Sequence, residues 1–362
     1  MTAYDRLIEV LITRGSAMPL VKCEELSDLI RELYNEDEAE FLTGLPLTPF
    51  SAASLAQAMG NCDPEELSRK LERMADTGQL HCAELRTGEK YYNVNTLIPG
   101  LLEIVFLPGQ VDERRRKVAR LFEDYRNRVN ALPDFEIEGV WRFPFFRTLA
   151  VEKEIAGGQS IQPYDNISMY VKKADYIAVG TCFCNQVQAL TSVPCNKPKE
   201  VCMTVGPQAH NYIKRGFARR VSNEEAFKIL DMTEKAGMVH CASNTGKYID
   251  GLCNCCICHC GFLQNLKKSK KPFNVAPSSF VVEFDSDNCS ACGACVDRCQ
   301  MGALATAGKE IVFNRDRCIG CGLCISHCSM GLLQLKARED ATVPPVNNSE
   351  FYMTLVNSMK NK

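Results

Sequence analysis

The sequence predicts an α+β protein of several domains. Three observations carry this. Helical periodicity gives way to a hairpin pattern in the first third, strand and helix signals alternate in the middle, and a C-terminal segment is written twice, as "CSACGACVDRCQMGAL" and "CIGCGLCISHCSMGLL". At 362 residues the chain has room for two or three domains. The expected divisions are a helical and hairpin-bearing domain at 1–133, a cysteine-rich α/β domain at 134–275, a repeat domain at 276–340 and a tail at 341–362.

In the first third, "TPFSAASLAQAMGNCDPEELSRKLERMADTGQLHCAELRTGEKYYNVN" puts Ser51 at the cap of a helix reaching about Met59. Gly60–Asp63 turns, and Pro64 followed by Glu65 and Glu66 opens a second helix that stops at Thr77–Gly78. "LHCAEL" and "KYYNVN" alternate around "RTGE" and predict a β-hairpin. This order resembles a winged helix-turn-helix domain. The second helix, Asp63 to Gly78, sets Arg69, Lys70 and Arg73 against five acids, a net charge of −2. DNA affinity rests on neutralising phosphates, so a docking or structural role is expected and nucleic acid is not. "VDERRRKVARLFEDYRNRVN" predicts a long amphipathic helix, with Arg114–Arg116 on a solvated face or against an acidic partner. "ALPDF" marks the boundary near residue 133.

Over the whole chain the apolar fraction is 46%, the charged fraction 24% and the formal net charge −2. Neither a general attraction to nucleic acid nor one to membranes follows from that. There is no apolar run long enough for a transmembrane helix, and "MTAYDRLIEVLITRG" lacks a cleavable signal pattern, so a cytoplasmic location is expected. In a reducing compartment clustered cysteines point to metal or catalysis rather than to disulfides. Of 21 cysteines, only Cys23, Cys62 and Cys82 precede residue 182, and the other eighteen fall between Cys182 and Cys328.

The middle third begins with "ADYIAVG", an apolar run that predicts a buried strand and puts Cys182 and Cys184 on a turn at its end. Pro194 and Pro198 hold Cys195 in a loop, and Cys202 follows. "SNEEAFKILDMTEKAGMVH" predicts a helix capped by Ser222 or Asn223 and stopped by Gly237. The run "GLCNCCICHCGF" then supplies Cys253, Cys255, Cys256, Cys258 and Cys260 around His259. Packing does not demand five thiols in eight residues. Adjacent side chains diverge, so Cys255 and Cys256 suit different irons or different clusters. These nine cysteines have room for one or more further iron–sulfur clusters, and zinc is the competing occupant because C-x-C pairs also serve zinc. Cys241 reads as a buried small hydrophobe, as do Cys23, Cys62 and Cys82. His259 is either a ligand, as imidazole is in Rieske centres, or a hydrogen-bond donor.

Both C-terminal runs have the spacing C-x2-C-x2-C-x3-C, and they begin at Cys289 and Cys318, 29 residues apart. Three cysteines at steps of three residues wrap one face of a cubane 4Fe–4S cluster. Gly293, Gly320 and Gly322 let the backbone turn around sulfur. Zinc sites prefer paired C-x2-C knuckles separated by a longer loop. The segment from about Phe280 to Lys336 resembles the bacterial two-cluster ferredoxins, in which the last cysteine of each run ligates the other cluster. The resemblance implies two 4Fe–4S clusters, one on Cys289, Cys292, Cys295 and Cys328 and the other on Cys318, Cys321, Cys324 and Cys299. Where that family has proline after the fourth cysteine, this chain has Gln300 and Ser329.

The wider pattern at residues 146–338, "TCFC…C…C…GLCNCCICHC" followed by two ferredoxin runs, resembles a group of 4Fe–4S-binding oxidoreductase subunits from anaerobes. The expected fold is then a winged-helix-like N-terminal domain, an α/β cysteine-rich middle domain and a two-cluster ferredoxin-like C-terminal domain. No G-x-G-x-x-G after a strand and no P-loop is visible. The leading expectation is a multi-cluster electron-transfer subunit that passes low-potential electrons between redox partners, within an oxidoreductase complex. The alternatives are an enzyme reducing a substrate at an open cluster site within 182–260, and a redox-responsive regulator using the winged helix.

Overall fold

The computed structural model describes residues 1–132, 144–268 and 275–348 apart from positions 19, 61, 86, 156, 158 and 193, together with 350, 351, 353, 354 and 357. The boundary expected near residue 133 lies outside the described residues. The chain is mixed α and β, and its contacts divide it into two units. One holds the described residues of Met1–Val140, Gly180–Pro194 and Pro207–Arg219; the other holds those of Trp141–Val179, Cys195–Gly206 and Arg220–Lys362.

The chain opens with α1 (Ala3–Arg14), α2 (Glu24–Leu33), α3 (Glu36–Thr43), α4 (Ala52–Met59) and α5 (Pro64–Asp76). Strands β1 (Leu80–Glu84) and β2 (Lys90–Val94), α6 (Leu102–Phe106) and α7 (Glu113–Asn130) follow. Local chemistry starts these helices. The Asp5 amide donates to Thr2 Oγ1 at 3.1 Å and the Thr2 amide to Asp5 Oδ2 at 2.7 Å, a reciprocal cap worth about 1 kcal/mol. Ser51 caps α4 and Asp63 caps α5, with Pro64 as its first residue. β1 and β2 pair antiparallel from Leu80↔Val94 to Glu84↔Lys90, and a bridge between Phe50 and Tyr92 extends the hairpin. Helix α1 packs on α3 and α2 on α7. Val118, Phe122, Tyr125 and Val129 form the buried stripe of α7.

The next elements are β3 (Phe146–Leu149), α8 (Ile167–Lys173), β4 (Ile177–Thr181), α9 (Phe183–Thr191), β5 (Glu200–Val205) and α10 (Pro207–Lys214). After them come β6 (Arg219–Val221), α11 (Asn223–Lys235), β7 (Val239–Ser243), β8 (Gly251–Cys255), α12 (Gly261–Lys268) and β9 (Val275–Ala276). The seven strands from β3 to β9 form one mixed sheet in the order β6-β4-β5-β8-β7-β3-β9. Its centre is antiparallel, with β8 between β5 and β7. The strand read from "ADYIAVG" is β4, buried over its first four residues. Ser222 caps α11, and Gly237 follows it at φ +75°. Beside the sheet the buried Arg147 pairs with the buried Asp165, since neither charge tolerates burial alone.

The repeat segment contains β10 (Phe280–Phe284), α13 (Ala294–Arg298), β11 (Leu304–Ala307), β12 (Glu310–Phe313) and β13 (Leu333–Ala337). Two antiparallel pairs, β10–β13 and β11–β12, frame it. Phe280, Val282, Leu304, Ile311, Leu333 and Leu335 form its core, with the thiols of Cys295 and Cys324 packed into it. Among the described residues no helix is long and apolar enough to cross a membrane.

Candidate metal centres

The two copies of the repeat match in detail. Gly293 and Gly322, 29 residues apart, have φ +79° and +83°; Gly302 and Gly331 have φ +65° and +66°. The Ala303 amide donates to Cys299 Sγ at 3.2 Å, and the Leu332 amide to Cys328 Sγ at 3.4 Å. The Ala291 amide donates to Cys289 Sγ at 3.4 Å. Amides aimed at sulfur favour the thiolate, the form an iron–sulfur cluster requires.

Electrostatics sort the eight thiols into two sets. Burial pushes the Cys295 thiol up, and the charges of Cys289, Cys328 and Cys292 push it the same way. Burial pushes Cys321 up to about 12, with Cys318, Cys299 and Cys241 adding to it. Burial likewise raises Cys324, followed by Cys321, Cys299 and Cys318. Each set therefore contains three thiols of one run and the last thiol of the other. Cys299, Cys318, Cys321 and Cys324 line a single cavity with Val282 and Leu304. Four convergent thiols, amide donors to sulfur and an apolar lining fit a 4Fe–4S cluster.

The cysteines from 195 to 260 also fall into two sets. The first lies on the sheet. Cys241 of β7 is the cross-strand partner of Cys253 of β8, and Cys255, two residues on, shares that face. Met203 of β5 pairs with Leu252, so Cys202 stands opposite Cys253. Cys253 is hydrogen-bonded to Cys202 and then Cys255, which hold its thiol well below the usual range. Cys255 is bonded to Cys241, Cys253 and Cys260, which push it well up. Five thiols thus meet, and the charge of Cys241 also bears on Cys321 of the repeat.

The second set lies in the turn after β8. Cys195 Sγ is 3.8 Å from Cys256 Sγ, which is 3.3 Å from His259 Nδ1. All three donor atoms lie within 4.8 Å of one another. Burial raises the Cys256 thiol, and Cys258 beside it adds to the rise. Gln264 Nε2 donates to the carbonyls of Ile257 and Cys258 at 3.1 and 3.0 Å. Gln300, which stands where two-cluster ferredoxins have proline, accepts from the Ile257 amide at 2.7 Å and donates to the Gly237 carbonyl.

Cys182 precedes α9 and Cys184 lies in its first turn, a helix where a turn was expected; both belong to the first unit. Cys241, read from the sequence as a buried small hydrophobe, is buried and also stands among the five thiols. Its signal is its place in a buried strand opposite C-x-C, which only the register reveals. Cys82 is buried on β1, while Cys23 and Cys62 are half-buried.

Neither the curated proteins nor the solved structures yielded a match to the chain. Residues 281–329 match the family described as the 4Fe-4S dicluster domain. That segment is an iron–sulfur domain of ferredoxin type, and with the chain's many cysteines it supports an electron-transfer role.

Proposed function

We propose that the protein is a multi-cluster electron-transfer subunit, working in the cytoplasm between redox partners or inside an oxidoreductase complex. The observation that carries this reading is the sequence of thiol sets within one unit. The Cys289 and Cys318 sets pack on one apolar core in the repeat, and the charge of Cys241, a member of the five-thiol set, is felt at Cys321. Centres spaced through one unit form a path for hopping electrons. In this reading Cys289, Cys292, Cys295 and Cys328 hold one 4Fe–4S cluster, and Cys318, Cys321, Cys324 and Cys299 hold another. A third draws its ligands from Cys202, Cys241, Cys253, Cys255 and Cys260. When bound, the clusters supply one-electron redox chemistry. The chain orients their thiolates, donates amide hydrogen bonds to sulfur and excludes water with Phe280, Val282 and Leu335.

The winged-helix-like domain serves in this reading as a docking surface. Lys70 lies over the Phe41 ring at 3.7 Å, Arg69 faces Glu65 at 3.9 Å, and Glu72 engages Lys90 and Arg215. Two of the three cations of α5 already have partners in the protein, which weighs against a phosphate-binding face. Sequence-selective retardation of DNA would promote the regulator instead.

The test is metal analysis of anaerobically purified full-length protein with redox cycling. About twelve irons and as much acid-labile sulfide per chain are expected. The visible absorption should bleach on chemical reduction and return on adding an acceptor protein. Fewer than about eight irons, or repeated turnover of a small substrate by the isolated chain, would overturn it.

A further inference from the structure

The backbone separates two chemistries at one peptide bond. Cys255 belongs to the five-thiol set on the sheet, while Cys256 turns away toward Cys195 and His259. We propose that Cys195, Cys256, His259 and Cys258 form a site for one tetrahedral zinc ion, separate from the iron–sulfur centres. The inference goes beyond the electron-transfer reading and does not depend on it.

The distances fit ligands of a single ion. Zinc binds thiolate at about 2.3 Å and imidazole at about 2.0–2.1 Å, so a tetrahedron has edges of about 3.8 Å between sulfurs and about 3.5 Å between sulfur and nitrogen. The chain shows 3.8 Å between Cys195 Sγ and Cys256 Sγ, and 3.3 Å from Cys256 Sγ to His259 Nδ1. What sets this group apart from the five-thiol set is its imidazole, a common ligand of zinc, whereas 4Fe–4S clusters are held by four cysteine thiolates. Three thiolates and one imidazole are a donor set of structural zinc.

Supporting contacts hold the ligands in place. The Lys197 amide donates to Cys195 Sγ at 3.3 Å. The Ile257 amide is bound by Gln300, and the Ile257 and Cys258 carbonyls by Gln264. Such outer contacts orient metal ligands. His259 is 1% exposed, and its two ring nitrogens lie 3.3 and 3.6 Å from Cys256 Sγ. Cys258, exposed and next to His259 in the same turn, lies outside the group of three donors that stand within 4.8 Å of one another, and in this proposal its side chain turns inward to complete the tetrahedron from the solvent side. Zinc has no redox chemistry, so this ion would carry no electron. It would tie the loop at Cys195 to the turn at Cys256–His259, 61 residues apart in sequence.

The test is zinc and iron analysis of the anaerobically purified full chain, with Cys195→Ser, His259→Ala and Cys258→Ser compared. About one zinc per chain is expected in the parent protein. Cys195→Ser and His259→Ala should lose most of it while keeping the iron and its visible absorption, which also reports that they folded. Cobalt exchanged into the site should give the intense visible bands of a tetrahedral thiolate site, and Cys258→Ser should weaken those bands and speed metal loss to a chelator. Absence of zinc from the parent, or loss of about four irons in Cys195→Ser, would overturn the site. Unchanged cobalt bands in Cys258→Ser would overturn the four-ligand set. The zinc count and the iron count are separate readings, so failure of one proposal is distinguishable from failure of the other.

Discussion

The repeat at 280–337 and the cysteines of 195–260 are built in opposite ways. In the repeat, three of every four thiols come from one short loop, and glycines at positive φ bend the backbone around them. In the middle region thiols gather by strand register, with Cys202, Cys253 and Cys241 contributed by three neighbouring strands. A loop announces its purpose through spacing. A sheet face does not, because the residues between its thiols belong to other strands and to the helix that joins them.

The largest effect that could break this contrast is loss of a whole cluster. Cys253→Ser combined with Cys255→Ser should remove about four irons per chain, while the low-temperature paramagnetic signals of the two repeat clusters persist. Full retention of iron would mean that the sheet-face thiols ligate nothing, and the two regions would no longer be two designs for one task.

The same contrast explains what was legible in the sequence. The crossed grouping of the repeat's eight thiols is what the ferredoxin resemblance implies, and the electrostatic neighbours of Cys295 and Cys324 group in the same way. The hairpin after α5, the start of α5 at Pro64, the caps at Ser51 and Ser222 and the stop at Gly237 were also readable, because each depends on a few adjacent residues. The divergence of Cys255 from Cys256 was legible from backbone geometry. The partners each would find were not, since Cys195 and Cys202 reach them through loop and strand placement across the chain. Cys241 looked inert for the same reason. Cys184 was expected on a turn, but α9 begins immediately after Cys182.

A second, smaller effect tests how tightly the repeat loops are specified. Ala291 and Gly320 occupy equivalent places in the two copies, with φ +57° and +68°. Ala291 therefore bears a left-handed backbone at a cost of about 1–2 kcal/mol. Its counterpart could not do the same, because a Cβ on Gly320 would lie 1.9 Å from the Phe280 carbonyl oxygen and 2.3 Å from Ser278 Oγ. Gly320→Ala should cost about 3 kcal/mol or more, whereas Ala291→Gly should change stability by about 1 kcal/mol at most. Thermal unfolding of the anaerobic holoprotein reads the difference. Equal melting temperatures for parent and Gly320→Ala would show that the second loop is less constrained than its contacts imply.

The smallest effect concerns the residue that joins the two designs. Gln300 follows the last cysteine of the first run, where two-cluster ferredoxins have proline, and its side chain spans from the Gly237 carbonyl before β7 to the Ile257 amide in the cysteine turn. Proline has no group that could make either bond. The substitution therefore exchanges a closed ring near a cluster for a clamp on the neighbouring cysteine turn. Gln300→Pro and Gln300→Ala should both leave the repeat clusters intact, and each should cost about 1–3 kcal/mol from the two lost bonds and the Ile257 amide left exposed or unpaired. Hydrogen exchange gives the local reading: the Ile257 amide should exchange about tenfold faster or more in both variants, while amides of β10 and β13 keep the parent rate. If the alanine variant leaves Ile257 unchanged and the proline variant does not, the effect belongs to the ring and not to the clamp. If neither moves it, the two cysteine regions are held together by their packing alone, and Gln300 is no link between them.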